Sequence, residues 1–230
     1  MRHALVALAV ALLGAAVGGP SPAFAQANLA DGFARLPAGT RILLMPADVE
    51  LFEISMGGVL EPRADWTADA TKYLVEGLRA RKLKLGARVS ELDDDADESL
   101  VELSSLHNAV SRAIVVHHFG SLKLPTKAGK LDWTLGGDTG VVREKTGADF
   151  ALFTWVRDSY VSDARRAAMV VGALLGVGLA SGAQEGYASL VDLKSGRVVW
   201  FNYLRRPGGD LRTREQAEET LNALLKNFPG

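Results

Sequence analysis

The chain has 230 residues, 26 basic and 27 acidic, and a charge balance this close to neutral offers no strong field to nucleic acid. It contains no cysteine, which excludes disulfides, thiolate metal sites and thiol nucleophiles. The length fits one sizeable hydrophobic core, with or without an elaboration.

Met1-Arg2-His3 is a short basic start, and Ala4 to Val17 runs without a charge. Gly18-Gly19-Pro20 breaks that run, and Ala23-Phe24-Ala25 sets small residues at the −3 and −1 positions of a cut site. These are the three parts of a secretory signal peptide. Residues 1–25 are therefore expected to be cleaved, leaving 205 residues (230 − 25) that work outside the cytoplasm. With no cysteine after Ala25, the expected product is a free periplasmic protein and not a lipoprotein. Residues 26–39 read as a flexible lead-in, and residues 40–230 as one α/β domain.

Arg41 to Met45 is a short continuous apolar run, as a strand buried on both faces requires. Asp48 to Arg63 reads as a connection with a small hairpin at Gly57-Gly58. Asp65 is the expected N-cap of a helix to Arg81, with Trp66, Ala70, Tyr73, Leu74 and Leu78 at helical spacing. A second strand is expected over Gly86–Leu92. An acidic start at Asp93–Glu98 then opens a long helix with a stripe of Leu103, Leu106, Val110, Ile114 and His117, stopped by Gly120. A short helix over Gly140–Thr146 ends at Gly147. Phe150–Val161 is the expected central strand, and Gly186–Leu193 and Arg197–Leu204 form a hairpin about Lys194-Ser195-Gly196. Thr213 and Gln216 make a capping box for a last helix that buries Ala217, Leu221, Leu224, Leu225 and Phe228. The order predicts a mixed β-sheet with helices packed on it.

One segment breaks the pattern. Ala167 to Gln184 is 18 consecutive uncharged residues, with Gly172, Gly176, Gly178 and Gly182 in small-xxx-small spacing. As one helix it would reach about 27 Å. Three readings are open: a helix buried against the sheet, an exposed patch for self-association or a partner, and reversible insertion into a membrane. A full crossing conflicts with the two flanking strands belonging to one sheet.

The signatures of site chemistry are sparse. His107 and His118 share a helix face but stand roughly 16 Å apart, too far for one metal. His117 falls on the apolar stripe and reads as a core histidine. The acids Glu91, Asp93, Asp94, Asp95, Asp97 and Glu98 fail the calcium-loop pattern, since Glu98 stands where glycine is needed. Gly176-Val177-Gly178 lacks the strand and spacing of a dinucleotide loop, and neither a GxSxG elbow nor a phosphate loop occurs. No cofactor and no metal are therefore expected. Glu61, Arg63, Asp65 and Trp66 gather acids, a cation and an aromatic at a loop–helix junction, a composition suited to an interface.

Arg41–Pro46, Glu144–Phe153 with its Gly147-Ala148-Asp149 turn into an apolar strand, and the hairpin Tyr187–Trp200 resemble, in order, envelope proteins related to the N-terminal domain of TolB and to CsgG. The resemblance implies the sheet and the compartment and transfers no catalytic residue. The expectation is a non-enzymatic periplasmic protein of the cell envelope, acting in protein interaction or envelope assembly. Its expected contact residues are Glu61, Arg63, Asp65 and Trp66, with Gly172, Gly176, Gly178 and Gly182. Its expected partner is an envelope protein or a second copy, with peripheral membrane contact also open. An exported hydrolase built on carboxylates, and a membrane-inserting oligomer, are the alternatives.

Overall fold

Four consecutive apolar residues, Ile42 to Met45, divide their side chains between two cores. Ile42 and Leu44 enter one buried cluster, Leu43 and Met45 the other. That alternation follows from the two-residue period of a strand and explains why the run is continuous: both faces of the sheet are covered. The structure is a computed structural model that describes residues 28–81, 88–91 and 98–230. The expected signal peptide and the acids Asp93 to Asp97 lie outside the described residues.

Among the described residues the sheet has seven strands. They are β1 (Arg41–Leu44), β2 (Asp48–Ile54), β3 (Leu60–Pro62), β4 (Arg88–Glu91), β5 (Phe150–Val161), β6 (Gln184–Asp192) and β7 (Val198–Arg206). The helices are α1 (Ala64–Ala80), α2 (Glu98–Ile114), α3 (Thr139–Thr146), α4 (Asp163–Leu174) and α5 (Arg214–Leu224). The fold is α/β, a mixed sheet with helices packed on it. Ala70, Leu74 and Leu78 of α1 and Ala217, Leu221 and Leu224 of α5 bury against one face. Leu100, Leu103 and Ile114 of α2 and Val142 of α3 bury against the other.

Strand β5 is central, as its composition led us to expect. One edge pairs antiparallel with β6 from Phe150 to Asp158. The other edge is shared: β1 runs parallel to Phe150–Leu152, and β2 runs parallel to Trp155–Val161. Pro46 sits between β1 and β2 and has no N–H to give the ladder, so the pairing breaks there and resumes. The chain turns at this point, and β1 pairs with β4 while β2 pairs with β3.

Several expectations need correction. The connection Asp48–Arg63 contains a seven-residue strand, β2, besides the turn at Gly57-Gly58. Its alternating polar residues hid it: Asp48 and Glu50 meet Arg157 across the strand pair. Helix α1 takes Arg63, not Asp65, as its N-cap, and no side chain caps it; Asp65 lies in the first turn, where its charge suits the dipole. The buried histidine is His107, not His117. His107 stacks on Phe153 at 3.7 Å, while His117 is half-exposed in a π-helical turn, Val115–Phe119, and pairs through Nδ1 with the Leu122 carbonyl. That turn shifts the periodicity on which the His117 assignment rested.

Helix α5 begins as its sequence predicts. The Thr213 hydroxyl accepts from the Gln216 backbone N–H, but the Thr213 N–H goes to the Asp210 carbonyl, so only half of the capping box forms. Thr213→Ala is expected to lower stability by about 1 kcal/mol, read as a shift in the urea midpoint.

Candidate functional site

Two segments meet at one end of the sheet. The first is the β2–β3 turn, and the second is the excursion from Val161 at the end of β5 to Gln184 at the start of β6. Parallel pairing sets Ile54 opposite Val161, so the turn and the excursion leave the sheet side by side.

Helix α4 opens the excursion. Ser162 caps it by accepting from the Arg165 N–H. It ends after Leu174, because Gly176 adopts φ +73 and the chain closes a Schellman motif: Gly176 N–H reaches the Ala173 carbonyl and Val177 N–H the Gly172 carbonyl. The uncharged stretch therefore supplies the last eight residues of the 12-residue helix α4 and then the returning coil, and the expected small-residue face does not exist on one helix. Gly172 lies in α4 against Val177, Gly176 ends it, and Gly178 and Gly182 lie in the returning coil. Gly182 passes so close to β5 that a Cβ there would overlap the Ser159 carbonyl at 1.8 Å. Ser159 and Ala183 exchange backbone and hydroxyl hydrogen bonds at the same place. Among the described residues no helix is long and apolar enough to cross a membrane.

Nor is the helix buried, which overturns the reading of a helix packed into the core. The only buried residue of α4 is Arg165. Its guanidinium donates to the Ala180 carbonyl through Nε (3.2 Å) and Nη2 (3.1 Å), and to the Met56 carbonyl through Nη1 (3.3 Å). One cation thus staples the helix, the returning coil and the β2–β3 turn into a single unit. Around it the large apolar side chains face outward. Leu174 is 83% exposed and Leu175 75%, with Val170, Val171 and Val177 beside them in the chain. Met56 (66%), Val59 and Leu60 are exposed on the turn. Eight of the 13 exposed large hydrophobics among the described residues belong to these two segments.

Below this end lies a buried polar network. Asp158 is 1% exposed and accepts from Tyr160 Oη (2.5 Å), Gln184 Nε2 (2.6 Å) and its neighbour Ser159 N–H (2.9 Å). Tyr160 Oη in turn accepts from the Leu211 N–H, and Gln184 Oε1 accepts from Arg206 and Thr220. The network joins the ends of β5, β6 and β7 to the loop before α5. Burial pushes the Asp158 carboxyl above the usual range, opposed by the hydrogen bonds it accepts.

The junction residues stand on the same side of the molecule. Arg63 forms a two-point pair with Asp65, reaches Glu53, and lies 4.0 Å above the Trp66 ring. Arg212, itself paired with Asp210, lies 5.0 Å from that ring on its own account and 4.1 Å from Tyr160. Trp66 is half-buried against the α1–α5 core and meets Tyr160 edge-on. Its indole therefore holds the fold together through cation–π contacts. Glu61 and Asp65 are the exposed members of the group. The Asp65 carboxyl is held below its ordinary range by the Arg63 hydrogen bonds.

His107 has no access to solvent. Its Nε2 pairs with Ser189 Oγ at 2.5 Å and Ser111 Oγ at 3.2 Å, both buried. Burial pulls its pKa down to about 3. Among the described residues no three His, Asp or Glu side chains gather closely enough to hold a metal ion.

No protein-family model and no curated protein matches the chain. Among solved structures it is similar to the PelC dodecamer from Paraburkholderia phytofirmans, at 13% identity over 83% of this chain and 90% of that one, with a TM-score of 0.37. It is also similar to lipoprotein GNA1162 from Neisseria meningitidis, at 14% identity over 72% and 81% of the two chains (TM-score 0.30). The LpoB C-terminal domain from Salmonella enterica gives 14% identity over 77% and 87% (TM-score 0.31).

Two outcomes test this geometry. Arg165→Ala removes the donor from the Met56 and Ala180 carbonyls, so thermolysin is expected to cut within residues 175–182 roughly tenfold faster or more, whereas Arg166→Ala leaves the rate unchanged. His107 is neutral in the folded state at a pKa of about 3, against about 6.5 when unfolded, so the unfolded chain binds the extra proton as pH falls through that window. Its share of stability is complete above pH 6.5 and declines below it. Between pH 7 and pH 5 the wild type is expected to lose about 2 kcal/mol more than His107→Gln in urea titrations.

Proposed function

We propose that this chain is an exported, non-enzymatic protein of the bacterial envelope that works by attachment, docking onto another envelope component through the apolar end built by α4 and the β2–β3 turn. The observation that carries the reading is the exposure of Leu174 and Leu175 beside Val170, Val171, Val177 and Met56, stapled in place by a buried arginine. Exposed apolar area costs about 25 cal/mol per Å² relative to burial. A patch of this kind, held rigid and not collapsed onto the core, marks an interaction surface.

The compartment in this reading comes from the signal-peptide pattern of residues 1–25 and the absence of cysteine after Ala25. The class comes from the ordered resemblance to TolB and CsgG in the strand and hairpin motifs. In the same reading Glu61 and Asp65 extend the contact as a polar rim, and Gly172, Gly176, Gly178 and Gly182 shape its backbone. Gly176 ends the helix and Gly182 presses the return against β5.

The test is fractionation of cells expressing the full chain. The wild type is expected in the membrane or complex-bound fraction, and Leu174→Asp/Leu175→Asp in the freely released fraction with an unchanged urea midpoint. Identical distribution of the two, with both behaving as monomers, would overturn the reading.

A further inference from the structure

The shape and charge of the apolar end identify what covers it. On α4 the exposed Ala167, Val170, Val171, Ala173 and Leu174, continued by Leu175, occupy roughly 200° of the helix circumference at 3.6 residues per turn. A helix seated on one flat partner face needs an apolar stripe of about 100°. An arc twice that width is satisfied by an apolar medium that surrounds the helix.

Charge is partitioned just as sharply. Ala167 to Gln184 carries no charge, and neither does Ile54 to Leu60. The residues bounding these stretches are Glu53, Glu61, Arg166 and Glu185, with Arg205 and Arg206 on β7 beside the strand to which the excursion returns. The end is an uncharged cap above a collar of mixed charge. Val170 to Leu175 spans about 7.5 Å along the helix axis. Apolar faces of interfacial helices enter the headgroup–acyl boundary by about 5–10 Å.

We infer that the apolar end inserts shallowly into a lipid bilayer surface, with the collar at headgroup level. This rests on the docking reading above and names its occupant. The contact lies on the membrane and does not cross it, which matches a 12-residue helix.

The experiment is flotation of the purified exported chain with vesicles of phosphatidylethanolamine and phosphatidylglycerol, and separately with phosphatidylcholine vesicles. Binding is expected to both compositions and is expected to survive about 1 M salt, where the Debye length is about 3 Å, because the cap is uncharged. Leu174→Asp on α4 and, independently, Met56→Asp on the turn are each expected to weaken vesicle binding roughly tenfold or more. Both positions are exposed, and an unchanged circular dichroism spectrum and urea midpoint confirm folding. No flotation, or flotation only with the anionic vesicles that salt abolishes, overturns the inference. Light scattering without lipid separates the two readings. An oligomer that Leu174→Asp dissolves, together with no flotation, assigns the end to a second copy, and the docking reading then stands without the lipid.

Discussion

Backbone pairing on both edges of β5 sets the position of everything else. Nine of its residues face β6 in unbroken antiparallel register, while β1 and β2 divide its other edge. A strand held this way cannot shift by one residue without turning its whole apolar set to the wrong face. The end of β5 is consequently a fixed platform. Asp158, Tyr160 and Gln184 reinforce it with a buried network that reaches β7 and α5. The excursion between Val161 and Gln184 starts and finishes on that platform.

A fixed base explains how so apolar an end stays out of the core. The helix is short, its face toward the protein consists of half-buried small or flexible residues, and its one buried side chain is a cation. Arg165 gains carbonyl partners on two separate segments, and those bonds hold α4 to the returning coil and the β2–β3 turn.

Much of this was legible in the sequence. The 12-residue run of β5, the hairpin about Gly196 and the helices α1, α3 and α5 follow from period, turn residues and caps, because each is decided locally. The edge strand β3 and its partner β2 were harder to read, since β2 alternates acids with apolar residues and its register depends on Arg157 across the pair. The π-helical turn moved His117 off the buried stripe, while His107 is buried because it stands in helical register with Leu100, Leu103, Ser111 and Ile114, a stripe that apolar residues alone do not mark. At the candidate site, the uncharged stretch was conspicuous, and Gly176 was a readable helix stop that counting the whole run as one helix passed over. The role of Arg165 was not readable, because its partners Met56 and Ala180 are brought together only by the parallel pairing of β2 with β5.

Hydrogen–deuterium exchange of the purified chain, free and with isolated envelope membranes, tests the central claim most directly. Added protection is expected in two segments distant in sequence, residues 55–60 and 163–183, with β7 and the α1–α5 face unchanged. Protection confined to other surfaces, or to one of the two segments alone, would contradict it.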